Sequence, residues 1–236
     1  MSGPWDDKDS PAWMHAARMA ELGVLSASLL HELRQPLFAL KAMAQLSLAS
    51  GGQMPPERLL QLAQQIDHMQ ELVDAYSGFS NPGESPVLFD LNDPVRNAVQ
   101  MLAHRGKAQG ASLQTDLATG FLPVRGRPSA TQQVVVNLLA NAYDAVEAAG
   151  GGQVVVETRA DDNSIVLIVR DAGTGVPAEL LDQVFEPFVT TKPAGRGTGL
   201  GLYIARKIVE EGHGMLTLSN GENGGTVVAV RLPRAA

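Results

Sequence analysis

Cysteine is absent from this chain of 236 residues. That excludes disulfides, thiolate metal centres and cysteine nucleophiles, and it fits a reducing compartment. Positive charge is also short, with 18 Lys and Arg against 25 Asp and Glu, a formal net charge of −7 and a pI near 5.2. With no basic stripe to neutralise phosphates, a surface for reading nucleic acid directly is not expected. Long apolar runs are missing too: Ile165 to Val169 is the longest, far below the roughly 20 residues that a membrane helix needs. Met1 to Ser10 is acidic and turn-rich and has no basic segment leading into an apolar one, so it does not read as a signal peptide. Apolar residues at 44% and charged residues at 18% are ordinary for a globular chain, and this length carries one large core or two modest ones.

Periodicity divides the chain in two. From Ala12 to Ser50 the pattern is helical, with Leu22, Leu29, Leu33, Leu37 and Leu40 on one face. Pro36 interrupts it, and a proline inside a helix predicts a kink. Gly51-Gly52 and Pro55-Pro56 mark a turn. Glu57 to Phe79 resumes as helix, with Leu59, Leu62, Ile66, Met69, Val73 and Tyr76 forming a heptad seam. One hairpin cannot bury both its stripes, so residues 12–79 are expected to pair with a second copy as a four-helix bundle, giving a homodimer. Residues 1–11 are expected to be flexible, and residues 80–87, rich in Pro, Gly, Ser and Asn, to form a linker.

Residues 88–236 mix strand and helix patterns, which predicts an α+β sandwich. Strand-like runs cover 112–116, 153–159, 164–170, 215–219 and 226–232; helical ones cover 94–106, 130–149 and 200–211. The runs on either side of Asp161-Asp162-Asn163 are expected to form an antiparallel hairpin.

Several groups carry chemistry. His31, followed by Glu32, falls roughly opposite the leucine stripe, where a buried core histidine would not lie. Asn137 and Asn141 are four apart, so their amides share a helix face and offer two oxygens to a hard cation. Asp171-Ala172-Gly173-Thr174-Gly175 follows a strand, and its glycines allow close backbone approach. Gly197-Thr198-Gly199-Leu200-Gly201 opens a helix, a natural cradle for phosphate. Neither a Rossmann turn nor a Walker loop fits that segment, because no strand precedes it directly and no Gly-Lys-Ser/Thr closes it. Residues 177–197 read instead as a lid anchored by Phe185 and Phe188, with Lys192 and Arg196 as candidates for phosphate contact, or as plain solvated charges. The remaining histidines, His15, His68, His104 and His213, have no metal-ligand spacing. Trp5 and Trp13 have no assigned role beyond packing on an upstream element.

In this order, the histidine segment His31 to Leu37, the asparagine segment 137–142, Asp171 to Gly175, Phe185-Glu186-Pro187-Phe188 and Gly197 to Leu202 closely resemble the five sequence boxes of a bacterial two-component sensor histidine kinase, from about Met19 to Pro233. The resemblance implies the Bergerat ATP-binding fold for the second domain, a mixed sheet with helices on one face. It implies that His31 takes the γ-phosphoryl group of ATP, that Glu32 orients the ring and accepts its proton, and that Gln35 positions water for phosphatase action on the partner. Asn141 would be the principal Mg2+ ligand with Asn137 in support. Asp171, Gly173, Gly175 and, less firmly, Gly225-Thr226 would contact adenine, and Lys192 and Gly197 to Gly201 the phosphates. Related ATPases carry glutamate at the Asn137 position to activate water; asparagine is no base, which implies transfer to a side chain rather than hydrolysis. The resemblance implies partners too: a response regulator receiver domain, which this chain lacks, and a sensor domain or subunit outside it. Localisation would be cytoplasmic, including as the cytoplasmic part of a membrane-bound sensor. Ala172 and Thr174 are variants of the usual glycine box. The competing readings are a Bergerat ATPase or serine kinase that uses the hairpin only to dimerise, and a signalling scaffold that binds no ATP.

Overall fold

The computed structural model describes residues 36–52, 54–63, 85–192, 197–222 and 224–235, and single positions at 30, 33–34, 65–66, 69 and 73. Two compact units result, divided between Val73 and Asp74. In the first, α1 covers residues 36–49 and α2 residues 56–63, with further helical positions on either side. Gly51 and Gly52, at φ +79° and +82°, make the turn between them, closed by the Gly52 amide donating to the Ser47 carbonyl at 2.9 Å. Only glycine takes two successive left-handed conformations cheaply. Along these helices Leu37, Phe38, Leu46, Leu48, Leu59 and Leu60 are half-exposed or more. His31, Glu32, Gln35, His15, His68, Trp5, Trp13, Tyr76 and Arg196 lie outside the described residues, as does most of the expected linker.

The second unit is a helices-on-sheet sandwich. Its main sheet runs β2 (Ala111–Leu117), β4 (Gly152–Ala160), β5 (Ser164–Asp171), β7 (Thr226–Pro233) and β6 (Met215–Asn220) from edge to edge. The β2–β4 pair is parallel and the other pairs are antiparallel, so the sheet is mixed. The expected β4–β5 hairpin is there, with Val156 opposite Val169. Alternation decides the faces: Val154, Val156, Ile165, Leu167, Val169, Val228 and Val230 enter the core shared with the helices.

Helices α3 (Asn92–Ala108), α4 (Pro128–Ala148) and α5 (Gly201–Glu211) supply the other half of that core. Helix α4 starts two residues before its expected boundary because Pro128 occupies the first turn, where its missing N–H costs nothing. Buried Val134, Val135, Leu138, Leu139, Ala142, Tyr143 and Val146 form its apolar stripe. Gly106 of α3 leaves room for the Tyr143 ring; a Cβ there would lie 2.6 Å from it.

Two short strands escaped the sequence patterns, β1 (Val87–Asp90) and β3 (Pro123–Gly126), which pair antiparallel as a separate ribbon. Four residues are too few to show alternation. A buried polar knot fastens the start of α3 to the sheet. The Thr158 hydroxyl donates to Asn92 Oδ1 at 2.8 Å and accepts from the Ala118 amide at 3.0 Å, and Asn92 Nδ2 donates to the Ala118 carbonyl at 3.0 Å.

Candidate functional site

Helix α4 organises the site because the residues flanking its apolar stripe are polar. Gln133, Asn137, Asn141 and Asp144 succeed one another at steps of four, four and three, so they line one half-buried face. Asn137 is committed at both ends: its Oδ1 accepts from Gln133 Nε2 at 2.9 Å and its Nδ2 donates to the Gly201 carbonyl at 3.1 Å. The second bond ties α4 to the first residue of α5. Asn141 Oδ1 accepts from the Lys192 ammonium at 3.3 Å, and the same ammonium lies 2.5 Å from Asp144 Oδ2. Thus Lys192 is placed on the amide face of α4.

Asp144 was not singled out from sequence, although it continues the Asn137–Asn141 spacing by one helical step. Its Oδ1 accepts from Arg105 Nη2 of α3 at 2.8 Å and from Nε2 of Gln109, the residue that follows α3, at 2.9 Å. Burial pushes the carboxyl upward, but the charge and hydrogen bond of Lys192, the Arg105 charge and the Gln109 hydrogen bond outweigh it and hold the pKa below its ordinary value.

A second cluster forms where β5 ends. Asp171 is buried, its Oδ1 accepts from the Gly173 amide at 2.9 Å and the Thr226 amide at 3.2 Å, and its Oδ2 accepts from the Thr226 hydroxyl. A carboxylate has about four lone-pair sites. Three are taken by the protein, which leaves one open to a further donor. The backbone around it is packed to contact: a Cβ on Gly173 would come within 2.6 Å of the Ala145 backbone, and one on Gly225 would collide with the Asp171 carbonyl. Ala145 is one turn beyond Asn141, so the Asp171 loop meets α4 about 6 Å along its axis from that amide.

Asn220, at the end of β6, is a further residue that the sequence did not mark. Its Oδ1 accepts from the Val176 amide at 2.8 Å and its Nδ2 donates to the Val176 carbonyl at 2.7 Å. This two-pronged clamp fixes the loop at Gly175, whose φ is +74°. Such side-chain-to-backbone bonds between distant segments leave no local signature.

Along the lid, a single 3-10 turn spans Ala178–Leu180, and Val184 and Phe185 pack inward, with the Arg206 guanidinium 5.3 Å from the Phe185 ring centroid. The Phe188 amide donates to the Gly199 carbonyl at 3.0 Å. Gly199, at φ +63°, presses against the Phe188 backbone so closely that no Cβ fits. Gly197 lies against Lys192 and Thr190, and the Thr198 hydroxyl accepts from the Leu200 amide at 3.2 Å. The structure therefore gathers Asn137, Asn141, Lys192 and Gly201 at one end of the site and Asp171, Gly173, Gly175 and Thr226 at the other. Among the described residues no cluster of three or more His, Cys, Asp or Glu suits a metal, and no helix is long and apolar enough to cross a membrane.

Residues 126–236 match the family of histidine kinase-, DNA gyrase B- and HSP90-like ATPases. Over 232 residues the chain is 34% identical to the two-component sensor PprA of Pseudomonas aeruginosa, covering 93% of this chain and 25% of PprA. It is 35% identical to the sensor protein kinase PilS of the same organism over 88% of this chain and 40% of PilS. The chain thus spans well under half the length of these relatives. The catalytic domain of histidine kinase ThkA superposes with a TM-score of 0.57 at 28% identity, covering 64% of this chain and 99% of that domain. ThkA in complex with the response regulator TrrA superposes with a TM-score of 0.71 over 93% of this chain and 64% of that one, at 24% identity, a likeness of fold.

Proposed function

Because this chain belongs to the sensor histidine kinases, we propose that it autophosphorylates His31 from ATP and passes the phosphoryl group to an aspartate of a response regulator. The observation that carries this reading is the state of Asn137. Both ends of its amide are occupied, by Gln133 and by the Gly201 carbonyl. An amide so engaged has no basic site with which to deprotonate an attacking water, which supports a site that keeps ATP for a side-chain nucleophile. This disfavours the ATPase reading, and the single open acceptor position on Asp171 disfavours a scaffold that binds no nucleotide.

Neutral imidazole, with an ordinary pKa near 6.5, is available at neutral pH. One ring nitrogen of His31 forms the N–P bond while the bond from the γ-phosphorus to the bridging oxygen breaks and ADP departs. The proton on the other ring nitrogen passes to Glu32. Such a loose transition state is served by alignment and charge neutralisation. Asp171 orients the base through its free lone pair, and Gly197 to Gly201 present backbone to the phosphates. Mg2+ fits the α4 face in one respect: Asn141 Oδ1 already faces a cation, the Lys192 ammonium. Asn141 would hold the ion, with Asn137 as support; bound there, it would neutralise charge on the triphosphate oxygens.

The exposed leucines and phenylalanine of α1 and α2 support dimerisation through residues 12–79. An isolated pair of helices leaves that apolar area in water. Gln35, one turn after His31, is proposed to orient the water that dephosphorylates the regulator. Residues 80–86 serve as the linker, since Val87 already opens β1, and the module takes its signal from a sensor domain or subunit and works on the cytoplasmic side.

The test is incubation with γ-labelled ATP and Mg2+. Acid-labile, alkali-stable label on the wild type and none on His31→Gln is expected. Glu32→Ala should slow labelling by roughly 10²-fold or more. ADP production without protein label would overturn the reading in favour of the ATPase.

A further inference from the structure

We propose that Asp144 is a positioning residue that latches the lid: it holds the Lys192 ammonium on α4, and ATP must draw that ammonium away as it binds. The inference rests on the nucleotide-site reading above and goes beyond it by assigning a role to a residue no motif marks.

Three observations carry it. First, Lys192 belongs to the lid, yet its ammonium is bonded to α4, to Asp144 Oδ2 at 2.5 Å and Asn141 Oδ1 at 3.3 Å. Second, Asp144 does not depend on Lys192 for its own position. Its other oxygen is held by Arg105 at 2.8 Å and Gln109 at 2.9 Å, and Gln109 Oε1 accepts from Arg105 Nε at 3.2 Å. The carboxylate is therefore a fixed post and the lysine the movable part. Third, the side chains are only 18% and 29% exposed, so their attraction is poorly screened.

The consequence follows from charge. Lys192 occupies the oxygen of Asn141 that a divalent ion would take, and two cations cannot share it. An incoming nucleotide offers Lys192 several phosphate charges in exchange for one carboxylate. Latched and loaded states therefore compete, and the measured affinity is the intrinsic one reduced by the fraction of unlatched protein. The latch also makes a lid lysine stand in for the ion while the site is without nucleotide, keeping two amide-face acceptors from facing each other uncompensated.

A double-mutant cycle on nucleotide affinity tests this, using a fluorescent ATP analogue with Mg2+ and wild type, Asp144→Asn, Lys192→Met and the double variant of the full chain. Asp144→Asn keeps the shape of the side chain and removes the charge that holds Lys192, so it should bind the analogue about 3- to 10-fold more tightly. In the Lys192→Met background the same change should have no effect. Equal tightening in both backgrounds would mean that Asp144 acts by its charge on the triphosphate directly, and would overturn the latch; so would unchanged or weaker binding by Asp144→Asn. Hydrogen exchange of residues 189–199 without nucleotide gives a second measurement that needs no ligand. Faster exchange in both Asp144→Asn and Lys192→Met is expected, and exchange as slow as wild type in both overturns the proposal. Failure of the wild type itself to bind the analogue would instead remove the nucleotide-site reading, and the latch with it.

Discussion

The Asp171 end and the lid end of the site are both built from glycines and a few polar side chains, yet they are held in unlike ways. At the Asp171 end, backbone meets backbone. Gly173 rests on Ala145, Gly225 on the Asp171 carbonyl, and Asn220 grips Val176 by both its amide groups. Two of the donors to Asp171 are main-chain amides. Lys192, at the lid end, is held by the tips of side chains on α4, and its principal partner is itself fixed by another helix. On the proposed roles, recognition of a base needs a geometry that does not change, whereas a triphosphate must enter and its spent form must leave. The division between main-chain and side-chain fastening matches those two demands.

Substituting Gly173 by alanine attacks the fixed end most directly. Its Cβ would lie 2.6 Å from the Ala145 backbone on α4, a clash that no rotamer relieves. Loss of about 2–3 kcal/mol of stability, with nucleotide binding lost as well, is expected from thermal unfolding and titration. If alanine were tolerated at full affinity, the Asp171 end would not be the rigid one. A smaller loss, about 1–2 kcal/mol, is expected for Asn220→Ala, which leaves the Val176 amide and carbonyl without their side-chain partners. Here affinity for ATP should fall while labelling at saturating ATP stays near wild type, since only the base-side loop loosens.

The smallest effect belongs to the lid end and is read by acid titration. Asp144 binds its proton more weakly in the folded protein than in the unfolded chain. The stability it contributes is complete above its ordinary pKa of 3.8 and drains away as the pH falls through the lower folded value. Asp144→Asn should therefore flatten that part of the acid limb of stability against pH, and Lys192→Met should flatten it partly, because Arg105 and Gln109 remain. An unchanged acid limb in Asp144→Asn would show that the carboxylate is not held as the hydrogen bonds indicate.

Long-period patterns made most of the sandwich legible. The five main-sheet strands and three helices fall within about two residues of where alternation and helical spacing put them, because each buries a face continuous enough to leave a period. Strands β1 and β3 left none, being four residues each. The asparagine pair on α4 was visible as an i, i+4 spacing, but the step of three to Asp144 was not followed, since aspartate there reads equally as a solvated charge. Asn220 and Thr158 were invisible for another reason. Their partners, Val176 and the Asn92–Ala118 pair, lie 40 or more residues away, and nothing local distinguishes such a residue from any other polar strand position.

Asp171 closes β5, the central strand of the five, which has β4 on one side and β7 on the other. Paired on both sides, the inner amides of β5 are expected to reach solvent chiefly when the whole unit opens. Lys192 is freed by turning a side chain, which takes nanoseconds or less once its bonds let go. On the proposed roles, one site thus keeps two clocks: the hand that would recognise the nucleotide lasts as long as the fold, and the hand that would close on it resets between one molecule and the next.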